Sequence, residues 1–142
     1  MDIARMGGFA RARSLTPARR RSIARKAVKA RWDRRRAGVV AVSEIRRVVA
    51  SAMEGRNAEV RLFGSYVRSR ATPESDIDIM VIFEKIPSDM NLMDEFASIN
   101  RKLSTLNRPI DLLLVDRATY DEWKEIEGTV HHDVAVEGVI LV

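Results

Sequence analysis

The sequence predicts an α+β fold, a mixed α/β domain in which short strands and amphipathic helices follow one another, preceded by a basic helical arm. Three observations carry this. Short apolar runs at 59–63, 76–83 and 109–115 have the length and composition of strands. Segments at 43–55 and 91–106 repeat apolar residues at helical spacing. The charge changes sign partway along: through Ala37, thirteen Lys/Arg stand against two Asp/Glu, a balance of +11, while the remainder carries twelve against eighteen, or −6. The predicted organisation is an arm over residues 1–37 and one domain over 38–142, and 142 residues suffice for one core but leave no room for a separate substrate domain.

The arm begins with Met1 to Arg13, which has no periodicity and reads as a mobile terminus. Thr16-Pro17 then marks a helix start, Thr as N-cap and Pro at the first helical position, and the helix runs to about Arg36. Its apolar stripe of Ile23, Ala24, Ala27, Val28 and Trp32 is narrow and built largely of small residues, so it can bury little. Arg19, Arg20, Arg21, Arg25, Lys26, Lys29 and Arg31 suit phosphate contacts, and Trp32 offers a stacking face, so a nucleic-acid contact through residues 16–36 is one reading. A solvated basic helix, or one packed on an acidic surface, is the other.

In the domain, Ser43 to about Gly55 is a helix with Ile45, Val48, Val49, Ala52 and Met53 on one face, Ser43 capping it and Gly55 closing it. Glu59 to Phe63 is a strand that runs into Gly64-Ser65. Pro73 forbids a helix between Arg68 and Asp76, leaving a loop. Asp76 to Phe83 is a second strand. Asn91 to Leu106 is a helix whose Leu92, Phe96, Ile99, Leu103 and Leu106 form a core face. Pro109 to Val115 is a buried strand, Asp116 to about Glu127 a helix in which Tyr120 and Trp123 pack, and the tail a helix followed by an edge strand. His131 and His132, adjacent on a helix, point about 100° apart and do not make a metal pair, so they read as solvated or partner-facing.

The chemistry resides in Gly64-Ser65, then ten residues, then Asp76-Ile77-Asp78. Glycine lets the backbone approach an anion, a helix start after it offers N–H groups, and Ser65 adds a hydroxyl. Arg68 can add a charge-assisted contact to phosphate. Alternation along a strand puts Asp76 and Asp78 on one face, where two carboxylates bind a hard cation, naturally Mg²⁺. Asp111 is a lone carboxylate entering an apolar strand. Beside the Asp76/Asp78 strand it would complete a three-acid site that holds metal or takes a proton from an incoming hydroxyl.

Gly64-Ser65-x10-Asp76-x-Asp78 with Asp111 downstream resembles the signature of the DNA polymerase β-type nucleotidyltransferase superfamily. Phe63-Gly64-Ser65-Tyr66-Val67-Arg68 and Ser75-Asp76-Ile77-Asp78-Ile79-Met80-Val81 look in particular like the minimal nucleotidyltransferases, small bacterial proteins often encoded as antitoxins beside a HEPN-domain toxin. The resemblance covers about residues 40–142. It implies a small mixed sheet with flanking helices, a Gly64-Ser65 turn that holds the triphosphate of ATP, Mg²⁺ on Asp76 and Asp78, and Asp111 activating the acceptor. For antitoxin members it implies AMP transfer onto a tyrosine of the HEPN toxin. Many relatives carry Gly where this chain has Ser69, and a hydroxymethyl there is expected to narrow the turn.

Two other functions stay open at this level: an antitoxin that neutralises its toxin by binding alone, and a transferase with a small-molecule or RNA acceptor. With no Ser/His/Asp arrangement and no P-loop, hydrolase and kinase readings lack support. No segment approaches eighteen consecutive apolar residues and there is no cysteine, so no membrane span or disulfide framework is expected and the expected setting is the cytoplasm.

Overall fold

The computed structural model describes residues 15–142, apart from the side chains of Trp32 and residues 34–36. The expected mobile terminus, Met1 to Arg13, and the stacking face of Trp32 lie outside the described residues. The chain divides into two compact units at Ala37/Gly38.

The first unit holds helix α1, Pro17–Arg36, with Pro17 in the first turn and Thr16 Oγ1 accepting from the Arg19 N–H as N-cap. Its side-chain pairing is local, Lys29 Nζ donating to Asp33 Oδ2 at 2.8 Å one turn on.

The second unit runs α2 (Val42–Ala52), β1 (Ala58–Phe63), a 3₁₀ turn (Gly64–Tyr66), β2 (Ile77–Phe83), α3 (Leu92–Leu103), a further 3₁₀ turn (Ser104–Leu106), β3 (Ile110–Asp116), α4 (Arg117–Trp123), α5 (Val130–Glu137) and β4 (Val139–Ile140). The sheet order is β3-β2-β1-β4. β1 runs antiparallel to β2 and β4, and β2 runs parallel to β3, so the sheet is mixed. The parallel pair requires a crossover, which α3 supplies.

Apolar residues alternate along β2 to feed two cores. Ile77, Ile79, Val81 and Phe83 join Ile45 and Val49 of α2 and Ile99 and Leu103 of α3 on one face. Met80 and Ile82 join Phe63, Val115, Tyr120 of α4 and Val134 of α5 on the other. Burying an Ile or Leu fully contributes about 2 kcal/mol, so the first and larger core dominates stability. Arg56 anchors α3 to the end of α2, donating to Glu95, to Ser98 Oγ at 3.1 Å and to the Ala52 carbonyl at 2.8 Å.

Some boundaries differ from the expectation. Helix α2 starts at Val42, and its N-cap position is Ala41, so Ser43 lies inside the first turn and caps nothing. The Ile45 N–H already bonds the Ala41 carbonyl, which places the entry two residues earlier than a Ser cap would. Asp76 stands one residue before β2. Helix α4 ends at Trp123, four residues short of Glu127. The two histidines are half-buried rather than solvated. His132 Nδ1–H donates to the Lys124 carbonyl at 2.8 Å, and the His131 ring lies 6.1 Å from that of Trp123. Tyr120 is buried as a packing residue, while Trp123 is exposed. Among the described residues no helix is long and apolar enough to cross a membrane.

Candidate active site

The register of the sheet decides which acids meet. Asp78 pairs with Asp111 across the parallel β2/β3 ladder and with Phe63 across the antiparallel β1/β2 ladder. Asp78 alternates in phase with Met80 and Ile82, and Asp111 with Leu113 and Val115, so both carboxylates point to the face that carries the smaller core. Asp76, two residues before Asp78, is close enough for its charge to act on it.

Phe63 delivers the chain into the 3₁₀ turn, whose first residue is Gly64 at φ +72. A Cβ built at Gly64 would lie 2.2 Å from Asp78 Oδ2. The glycine is therefore required twice, by a left-handed backbone and by the carboxylate lying against it. The turn is closed by the Val67 and Arg68 N–H groups donating to the Gly64 carbonyl at 3.2 and 3.1 Å. Its first N–H groups, as at any helix start, have no partner within the turn. Tyr66 anchors the turn in the larger core, and half-buried Ser65 follows Gly64 directly.

The electrostatics are uneven. Burial raises the Asp78 pKa above its ordinary value, the charges of Asp111 and Asp76 raise it further, and Arg68 alone opposes them. Among the described residues none of the three carboxylates has a hydrogen-bond or ion-pair partner. The other charged cluster on this face differs: Arg61 pairs with Glu59 at 2.6 Å, and Arg117 pairs with Glu59 at 3.3 Å and Glu84 at 2.8 Å. That cluster is neutralised internally. The aspartates are not.

Carboxylate oxygens without a hydrogen-bond or ion-pair partner are the donor set of a hard cation, and in that sense the residues fit Mg²⁺. Among the described residues, however, no three His, Cys, Asp or Glu side chains are gathered closely enough to hold an ion unaided. An ion here would need ligands from a substrate as well, the usual habit of Mg²⁺ beside phosphates.

Arg68, read from the sequence as a phosphate contact, has a protein partner in Glu137. Its Nε donates to Glu137 Oε2 at 2.8 Å and its Nη2 to Glu137 Oε1 at 2.7 Å, a two-pronged pair with the last residue of α5. Sequence reasoning missed Glu137. One signal existed: a carboxylate at a helix C-terminus faces the negative end of the dipole and therefore calls for a cation. Ser69, the residue at which the resemblance noted a departure, has φ +55, a left-handed conformation that glycine adopts without strain.

Comparison with known proteins follows the same lines. A model described as a nucleotidyltransferase domain matches residues 42–141. A 36-residue stretch is 50% identical to a protein adenylyltransferase MntA of Thermococcus cleftensis, covering 25% of this chain and 36% of that protein, so the match spans about a third of the relative's length. Among solved structures, a toxin–antitoxin with AMP-PNP is 22% identical, with 68% of this chain and 72% of that chain covered at a TM-score of 0.46. A mutant of the toxin–antitoxin MntA–HpeT is 19% identical, with 72% and 73% covered, also at 0.46.

Proposed function

The chain belongs to the nucleotidyltransferase domain family, and from that premise we propose that it transfers AMP from ATP to a hydroxyl, a tyrosine of a HEPN-type toxin partner, and so acts as an antitoxin. The observation that carries the reading is the register that sets Asp78 beside Asp111 with Gly64 lying against the Asp78 carboxylate. The MntA relative's name supports the protein acceptor. The proposed setting is the cytoplasm, where ATP is supplied.

In this reading Gly64 and Ser65 hold the triphosphate through backbone N–H groups and a hydroxyl, and Arg68 adds a guanidinium. Asp76 and Asp78, with Asp111, would hold Mg²⁺, which when bound neutralises charge on the phosphates. Asp111 accepts the proton of the incoming hydroxyl. The hydroxyl oxygen then bonds the α-phosphorus, the bond from that phosphorus to the bridging oxygen breaks, and pyrophosphate leaves with the electron pair. Positioning and charge neutralisation provide most of the rate. For residues 16–36 the charge supports two readings, a solvated basic helix and a nucleic-acid contact.

Labelled ATP incubated with the chain and its co-purified partner should place label on the partner, and Asp76→Ala with Asp78→Ala should reduce it at least about 1,000-fold. Label transfer that survives both changes overturns the reading. Toxin neutralisation that persists while transfer is lost supports an antitoxin acting by binding alone.

A further inference from the structure

Helix α5 ends in a carboxylate, Glu137, followed by Gly138, at which a Cβ would lie 2.3 Å from the Val134 carbonyl oxygen. The close approach of Gly138 fixes where the helix stops and hence where Glu137 projects. At a C-terminus the helix dipole disfavours a negative charge, so something outside the helix must hold it. What holds it is the phosphate-binding turn: Arg68 forks onto both carboxylate oxygens, at 2.8 and 2.7 Å. The Arg68 guanidinium, with a lesser contribution from the Gly64 backbone, keeps the Glu137 pKa below its ordinary value. A phosphate group, though tetrahedral, presents two oxygens to a guanidinium edge in the same bidentate way.

We propose that Glu137 is an internal stand-in for the nucleotide's phosphate oxygens: it holds Arg68 in the ligand-free molecule and releases it when triphosphate enters, and so sets the affinity of the site. The inference rests on the nucleotide-binding reading above and adds to it a positioning residue from an element far along the chain. Its physical basis is competition. Arg68 has one edge, its Nε and Nη2 donors, committed to Glu137, and the negative charges of Asp133 and Asp78 also act on it. A phosphate that takes this edge must therefore displace one anion in the presence of two others. Removing the Glu137 charge removes both the competitor and part of the repulsion felt by an incoming polyphosphate.

The test is titration calorimetry of the full chain with ATP plus Mg²⁺, and separately with tripolyphosphate, for wild type, Glu137→Gln, Arg68→Gln and the double variant. Glu137→Gln should tighten both ligands about fivefold, the scale of a half-exposed ion pair. Arg68→Gln should weaken both, and the double variant should bind no more tightly than Arg68→Gln. A Glu137→Gln protein that binds as wild type does, or a fivefold gain that persists without Arg68, overturns the inference while leaving the nucleotide site standing. Failure of wild type and every variant to bind ATP overturns both. The wild type gives a check that needs no substitution: its Arg68 Nε–H resonance should move on saturation with ATP and Mg²⁺, and a resonance that stays put contradicts the exchange.

Discussion

Gly64 and Asp78 are bound to one another by a contact that admits no side chain between them. Gly64→Ala would set a Cβ 2.2 Å from Asp78 Oδ2 on a backbone at φ +72, so it should destabilise the fold by about 1–2 kcal/mol in denaturant titrations and abolish transfer. Ser69→Gly acts oppositely, relieving a left-handed serine at φ +55. Glycine's added freedom in the unfolded chain offsets part of that relief, leaving a net stabilisation of about 0.5 kcal/mol by the same measurement. Asp78 links stability to charge. Its folded pKa lies above the ordinary carboxylate value because of burial and two neighbouring acids, so the ionised form costs stability above the folded pKa, and that cost fades as pH falls through it. Asp78→Asn should therefore raise Tm near neutral pH by on the order of 2 °C while eliminating transfer, and the Tm gap from wild type should close on acidification. Asp76, Asp78 and Gly64 were legible in the sequence because alternation and glycine's special conformations are local rules. Glu137 was not, since its partner lies 69 residues away and no local pattern names it.

Among the elements, β2 and β3 were legible as apolar runs, and their parallel pairing is what turns two separated acids into neighbours. The exact register was not legible, because one slip along either strand would have kept the apolar pattern of the run and moved Asp111 away from Asp78. Helix starts divided by chemistry. Thr16 and Asp116 cap their helices with their own side chains, whereas the N-cap position of α2 is an alanine and Ser43 misled. Helix α3, which links the parallel pair, is capped by Asn91 Oδ1 accepting from the Met93 and Asp94 N–H groups at 3.0 and 3.3 Å. Asn91→Ala should cost about 1 kcal/mol in chemical denaturation without altering nucleotide affinity.

Across the whole molecule, the charge break at residue 37 coincides with the division into two compact units. The basic unit supplies the overall positive charge, and the acidic unit carries the three carboxylates that have no ion-pair partner among the described residues. If residues 16–36 contact nucleic acid, duplex DNA should be retarded by the full chain, not by residues 38–142 alone, and the binding should weaken steeply with salt. Retardation unchanged by the truncation would assign the contact elsewhere. The central claim concerns the other unit: that Asp76, Asp78 and Asp111 share one divalent ion with a triphosphate held at Gly64-Ser65. Anomalous diffraction from crystals of the full chain soaked with Mn²⁺ and a non-hydrolysable ATP analogue tests it directly. The account predicts an Mn²⁺ peak ligated by Asp76 and Asp78, within about 4 Å of Asp111, and bridged to phosphate oxygens beside Gly64. Mn²⁺ bound away from these aspartates, or an analogue seated away from Gly64 with the aspartates unligated, would contradict it.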